Sequence, residues 1–213
     1  KIKIIQKGKE LPQFDFHCPM MSLPLAFNTN RETVPRKIPY LRWSDRRSNY
    51  WRQRLSSSKK LKVGLVWRGN PKHQNDHKRS IDTQLIVQSL DKRVDWFSLQ
   101  FSLSQNDKNL LKMHNVITHF GEEIEEIGDF YETAALCRAL DAIVTVDTSV
   151  AHLAGAIGCR VFLLLSYVPD ARWHMHGDYS VWYPTMTLIR QSGRQCWREV
   201  MERAQARILR EFF

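Results

Sequence analysis

An α/β fold built on a doubly wound parallel sheet is what this sequence predicts, and three observations carry that expectation. First, from Lys62 onward, short apolar runs rich in β-branched residues alternate with segments of helical periodicity. Second, the run Ala142–Val146 is followed by Asp147, Thr148 and Ser149, then by Val150, Leu153, Ala154 and Ile157 at helical spacing, then by a second run, Val161–Leu165. Strand, tight turn, helix, strand is a βαβ unit, which requires a parallel pair and a right-handed crossover. Third, 213 residues with 43% apolar content suffice for one sizeable core. No apolar run reaches the roughly 18 residues of a membrane-spanning helix, so no span is expected.

The elements follow in order. Lys1–Gln6 and Gln13–Cys18 alternate in polarity and predict two short strands, with Gly8 and Pro12 marking the loop between them. Met20–Ala26 is a short helix or a turn after Pro19. An irregular, Arg-rich connection follows, in which Tyr50–Leu55 forms a helical turn or two, and residues 56–60 make a linker by composition. Strands are expected over Val63–Trp67, Val94–Phe101, Val116–Phe120, Ala142–Val146, Val161–Leu165 and Pro184–Ile189. Helices are expected over Ile81–Leu90, Asn106–Met113, Tyr131–Leu140, Val150–Ile157 and Trp197–Phe212, with an acidic loop over Glu122–Glu126. Gly158 stops the fourth of these helices. This pattern predicts a Rossmann-like domain over residues 59–213, preceded over residues 1–58 by two short strands and a basic linker.

The formal net charge of +10 favours anionic partners: nucleotides, phosphorylated sugars, nucleic acid or anionic lipid. Arg, Trp and Tyr interleave between Arg31 and Lys62, yet no nucleic-acid-binding motif accompanies them, so nucleic acid is not the expected partner. Cys18, Cys137, Cys159 and Cys196 are far apart and lack metal-ligand spacing; they read as reduced thiols of a cytoplasmic protein. His73 and His77 are four apart but sit in a loop without a nearby third ligand, so no metal is expected.

Three loops at the carboxyl ends of strands hold the candidate chemistry. Asp147, Thr148 and Ser149 open a helix, whose unpaired N–H groups and positive dipole end attract phosphate. The same residue types are also ordinary helix caps. His152 lies one turn in, where its side chain points back toward the helix start or simply packs. In the loop Arg68–Ser80, Gly69 permits close approach of backbone to a ligand, Lys78 and Arg79 supply positive charge, and Ser80 caps the next helix. A solvated polar loop is the alternative. After the second strand, Gln100 is a candidate polar contact.

The stretch Val146–Ala156 resembles the nucleotide-sugar motif of the heptosyltransferase-like glycosyltransferases, family 9 of the GT-B enzymes. It is similar above all to bacterial relatives fused behind tetratricopeptide repeats. Other segments match in order: His17–Ala26, Val63–Pro71, Asn75–Ile81, Phe97–Gln100 and Trp182–Pro184. The resemblance implies the C-terminal, donor-binding half of a GT-B fold, with residues 1–58 as a short remnant of the N-terminal half-domain and a basic linker, a nucleotide-diphosphate sugar as donor, and no metal or other cofactor. It implies that Lys78, with Arg79 second, reaches the donor diphosphate, that Asn70 positions the loop backbone, and that Thr148 and the N–H groups after it hold phosphate. Residues 170–173 and 178–184 resemble the segment that closes the site. An upstream half-domain or tetratricopeptide repeats are the implied partners, and the general base belongs to the missing half. Where relatives continue Ser-Leu-Gln with Lys and Gly, this chain has Phe101 and Ser102. Two functional readings follow. One is the donor domain of a glycosyltransferase acting on an unknown acceptor. The other is a degenerate, non-catalytic domain that binds a nucleotide or a protein.

Overall fold

A computed structural model describes residues 3–101, 103–120 and 129–213. The expected acidic loop over Glu122–Glu126, and Ser102, lie outside the described residues. The chain divides into two compact units, Lys1–Pro35 and Arg36–Phe213.

In the first unit, a 3₁₀ turn over Met20–Ser22 runs into a four-residue helix, α1 (Leu23–Ala26), with Pro24 in its first turn. No strand forms over the described residues between Lys3 and Cys18, where two were expected. Alternation specifies a strand only where a neighbouring strand accepts its backbone bonds and one face is buried. Here Ile4 and Phe16 are each 92% exposed.

The second unit holds six parallel strands: β1 (Leu61–Val66), β2 (Val94–Ser98), β3 (Ile117–His119), β4 (Ala142–Val146), β5 (Val161–Leu165) and β6 (Met186–Arg190). Their order is β3-β2-β1-β4-β5-β6, all neighbours parallel. The winding runs outward in both directions from the central β1–β4 pair, so the fold is a doubly wound, Rossmann-like α/β sheet. Alternate strand residues feed two cores. Val63, Leu65, Val144, Val146, Phe162 and Leu164 face one side. There they meet α4 (Thr83–Ser89), α5 (Gln105–His114) and α8 (Trp197–Phe212) through Ile86, Leu111, Val200 and Ile208. Val66, Ile143, Leu163 and Leu165 face the other, with α2 (Asp45–Arg54), α6 (Phe130–Cys137) and α7 (Ser149–Ala156) packed there through Trp51, Leu136 and Ala154.

Side-chain caps start four of the described α-helices. Asp82 accepts from the Gln84 and Leu85 N–H groups, Asp129 from Glu132, and Ser44 from Arg47, while Ser104 and Asp107 form a reciprocal capping box. The Asp82 cap explains why α4 begins at Thr83 and not at Ile81. The Ser44 cap explains why α2 is longer than the one or two turns expected near Tyr50. Pro184 has no N–H for the ladder, and β6 starts two residues later at Met186. One short helix, α3 (Asp76–Arg79), stands inside what was expected to be a continuous loop. α2 is fastened by Glu132 of α6, which is 3% exposed and accepts from Arg47 Nη2 and Trp51 Nε1, both at 2.6 Å. Among the described residues no helix is long and apolar enough to cross a membrane.

Candidate functional site

The sheet's direction of winding reverses between β1 and β4, and ligands of open α/β folds bind in the crevice at the carboxyl ends of such strands. Here that crevice is a cleft of about 500 Å³. Lys78 and Arg79 of α3 reach it from the loop after β1, Asp147, Thr148, Ser149 and His152 from the β4–α7 turn, and Asp170 and Arg172 from the segment after β5.

The β1 loop is folded around one ion pair. Arg79 Nε donates to Asp76 Oδ1 at 3.1 Å, and Arg79 Nη1 donates to the Asp147 carbonyl at 2.7 Å. Arg79 therefore bolts the β1 loop to the β4 turn and is not a free cation. Asp76 also accepts from the Ser80 hydroxyl at 2.7 Å, and that hydroxyl accepts from Gly69 N–H at 3.0 Å. Lys78, beside this frame, is exposed and among the described residues has no carboxylate partner.

The α7 start is open. Thr148 occupies the N-cap, but its side chain accepts no bond from the helix; its hydroxyl lies 3.2 Å from that of Thr145. The first N–H groups of α7 thus meet the cleft without a side-chain cap, at the positive end of the helix dipole.

His152 is held at both ring nitrogens. Arg172 Nη1 lies 3.1 Å from its Nε2, and the Tyr183 hydroxyl 2.9 Å from its Nδ1. A guanidinium cannot accept, so Nε2 is the acceptor and the proton resides on Nδ1, donated to Tyr183. The ring stacks on buried Trp173 with centroids 5.1 Å apart. Burial holds the His152 pKa below the usual histidine range, and the Arg172 charge adds to that effect. Burial raises the Tyr183 phenol, reinforced by the Tyr40 hydroxyl 3.4 Å away. Arg172 also pairs with Asp170, Nε to Oδ1 at 2.8 Å. That bond holds the Asp170 carboxyl below its ordinary range.

No protein-family model matches the chain. Its structure is similar to that of E. coli ADP-heptose LPS heptosyltransferase II, with TM-score 0.52 and 19% identity, over 84% of this chain and 57% of that one. The fold is heptosyltransferase-like. A glycosyltransferase family 9 structure from Veillonella parvula DSM 2008 matches more loosely, with TM-score 0.47 and 9% identity over 80% of this chain and 53% of that one. In sequence, the chain is 24% identical over 204 residues to Protein FlbA of Caulobacter vibrioides, covering 94% of this chain and 34% of FlbA. The chain thus spans about a third of that relative and little more than half of the heptosyltransferase II chain.

Within this heptosyltransferase-like fold, six of the nine expected site residues line one cleft: Lys78, Arg79, Asp147, Thr148, Ser149 and His152. Of the other three, Ser80 and Gln100 hold the loops beside it. Ser80 anchors Asp76 and Gly69 as above. Asn70 Oδ1 accepts from Lys72 N–H at 3.0 Å within its own turn. Gln100 clamps Arg68, accepting from its N–H at 3.0 Å and donating to its carbonyl at 3.1 Å, which ties the β1 loop to the β2 loop. Sequence reasoning reached the segment of Asp170 and Arg172 without isolating either residue. Their neighbour His152 is some twenty positions away, and such a contact has no periodic signature. Among the described residues no group of three His, Cys, Asp or Glu side chains comes together to hold a metal ion.

Proposed function

We propose that the cleft binds the diphosphate of a nucleotide-sugar donor, and that the chain is the donor-binding part of a glycosyltransferase. The observation that carries this reading is convergence. One exposed lysine, one arginine and one uncapped helix start, from three separate segments, meet at the switch point of the sheet. When the bond from sugar to diphosphate breaks, negative charge grows on the leaving diphosphate. Lys78, Arg172 and the N–H groups of α7 stabilise that charge where it develops. Arg79 and Gln100 keep the loops in place, and Asp147 accepts from a donor hydroxyl. This reading calls for no metal. In this reading the general base that takes the proton from the acceptor hydroxyl or amide is supplied from outside this chain, by an upstream half-domain. A cytoplasmic setting, where nucleotide sugars are made, fits the reduced cysteines.

A thermal-shift titration with ADP, UDP and GDP tests the reading. One diphosphate raises the melting temperature by mass action. Lys78→Ala and Thr148→Val each weaken that ligand by about tenfold, the scale of one charge-assisted hydrogen bond. Absence of a shift with every nucleotide would sink donor binding by this chain.

A further inference from the structure

We propose that a second subsite, contiguous with the diphosphate cleft, takes a carboxylate-bearing sugar. The inference rests on the donor reading, because the two cavities share Lys78, Ser166 and Val168. The second cavity, about 400 Å³, lies between the segment after β5 and the loop that joins β6 to α8.

Four observations define what it fits. Tyr167 and Val168 are exposed on one wall, and Trp197 contributes to another, so the cavity offers apolar surface for the C–H face of a pyranose ring. Gln191 is only 7% exposed; its Oε1 accepts from Tyr167 N–H at 2.9 Å, which fixes the amide orientation, and its Nε2 has no partner. A buried amide donor left unpaired is costly, and such groups are nearly always satisfied in a folded protein or its complex. Arg194 is exposed at the same cavity, and among the described residues neither it nor Lys78 forms an ion pair. Finally, no Asp or Glu among the described residues lines this cavity, whereas Asp147 and Asp170 line the first.

A neutral sugar would leave that unbalanced positive charge without a counterpart. A carboxylate meets it. Its planar pair of oxygens matches the fork of a guanidinium and the N–H₂ of an amide. The start of α8, where Cys196 makes no side-chain cap, adds its dipole with the same sign.

The test is calorimetric titration of the 213-residue chain with glucuronate, glucose and pyrophosphate. Glucuronate binds saturably and glucose does not. Arg194→Ala, at an exposed position, weakens glucuronate by about tenfold or more and leaves pyrophosphate affinity unchanged. Gln191→Glu keeps the acceptor for Tyr167 N–H, replaces the amide donor with a carboxylate, and also abolishes glucuronate binding. Glucuronic acid 1-phosphate and methyl glucuronide separate the sources. Tighter binding of the phosphate identifies the donor's own sugar, and tighter binding of the glycoside identifies the acceptor. Equal binding of glucose and glucuronate, no binding of glucuronate, or an Arg194→Ala variant with wild-type glucuronate affinity would each overturn the proposal. Pyrophosphate binding without a glucuronate response fails this inference alone, whereas loss of pyrophosphate binding as well fails the donor reading too.

Discussion

At Gly69 a missing side chain decides how the cleft is built. A Cβ there would stand 2.2 Å from Asp76 Oδ1 and 2.5 Å from Arg79 Nη2. The space in front of this glycine, which the sequence suggested was open to a ligand, is filled by the protein's own ion pair. Gly69→Ala must therefore push apart the pair that joins the β1 loop to the β4 turn. We expect a loss of about 1–3 kcal/mol in stability, typical of overpacking, with weaker diphosphate binding because Lys78 shares the displaced turn. Urea denaturation and a nucleotide titration on the same variant check both. Unchanged values would mean that the loop relaxes without moving Arg79. The example also shows why residue roles were only half legible. Lys78, Arg79 and Thr148 could be picked out by type and position. That Arg79 is consumed by Asp76 and the Asp147 carbonyl is a tertiary fact, linking positions 68 residues apart.

Among the elements, the segment after β5 depends on a neighbour for its shape. Asp170 caps a 3₁₀ turn over Ala171–Trp173, and His174 then takes a positive φ of 56°. Arg190, at the end of β6, holds this irregular stretch from beneath. It donates to the carbonyls of Trp173 at 2.6 Å, His174 at 2.8 Å and Gly177 at 2.8 Å. Lysine cannot reproduce that fork. Arg190→Lys should leave carbonyls unpaired, cost about 1–3 kcal/mol, and raise amide exchange across residues 171–177 while β5 stays protected. Equal exchange in both proteins would show that Arg190 is dispensable to the segment that carries Arg172. Regular elements were far easier to read in advance than this one. Ala142–Val146 and Val161–Leu165 form strands with the expected limits, because both faces of each are buried and their apolar runs end at polar residues or glycine. The N-terminal alternation failed for the opposite reason: among the described residues it has no neighbouring strand.

At the scale of the whole molecule, the formal charge of +10 is the surplus of 32 Lys and Arg over 22 Asp and Glu, and several of those cations are held by carboxylates. Arg47, Arg68, Arg79, Arg93, Arg160, Arg172 and Arg203 are each paired with a carboxylate. Those pairs fasten α2 to α6, the β1 loop to α5, and α8 to the strand edge, so much of the basic composition is structural. At the two cavities the positive groups are Lys78, Arg194 and the starts of α7 and α8, with Arg172 held beside them by Asp170. That distribution separates two kinds of anion binding by their salt dependence. A polynucleotide gathered by a general basic surface would release many counterions, and its affinity would fall with a steep log–log slope, about 0.9 per phosphate contacted. A diphosphate held by two cations and a helix start loses far less, because partly buried contacts are screened weakly. We expect nucleoside diphosphate affinity to fall with a log–log slope of about 1–2 as salt rises, and a mixed-sequence oligonucleotide to show no saturable binding at physiological salt. Fluorescence anisotropy with both probes across a salt series makes the comparison. A steep slope for the oligonucleotide, with tight binding at low salt, would reassign the basic segment between Arg31 and Lys62 to nucleic acid and leave the cleft as an independent site.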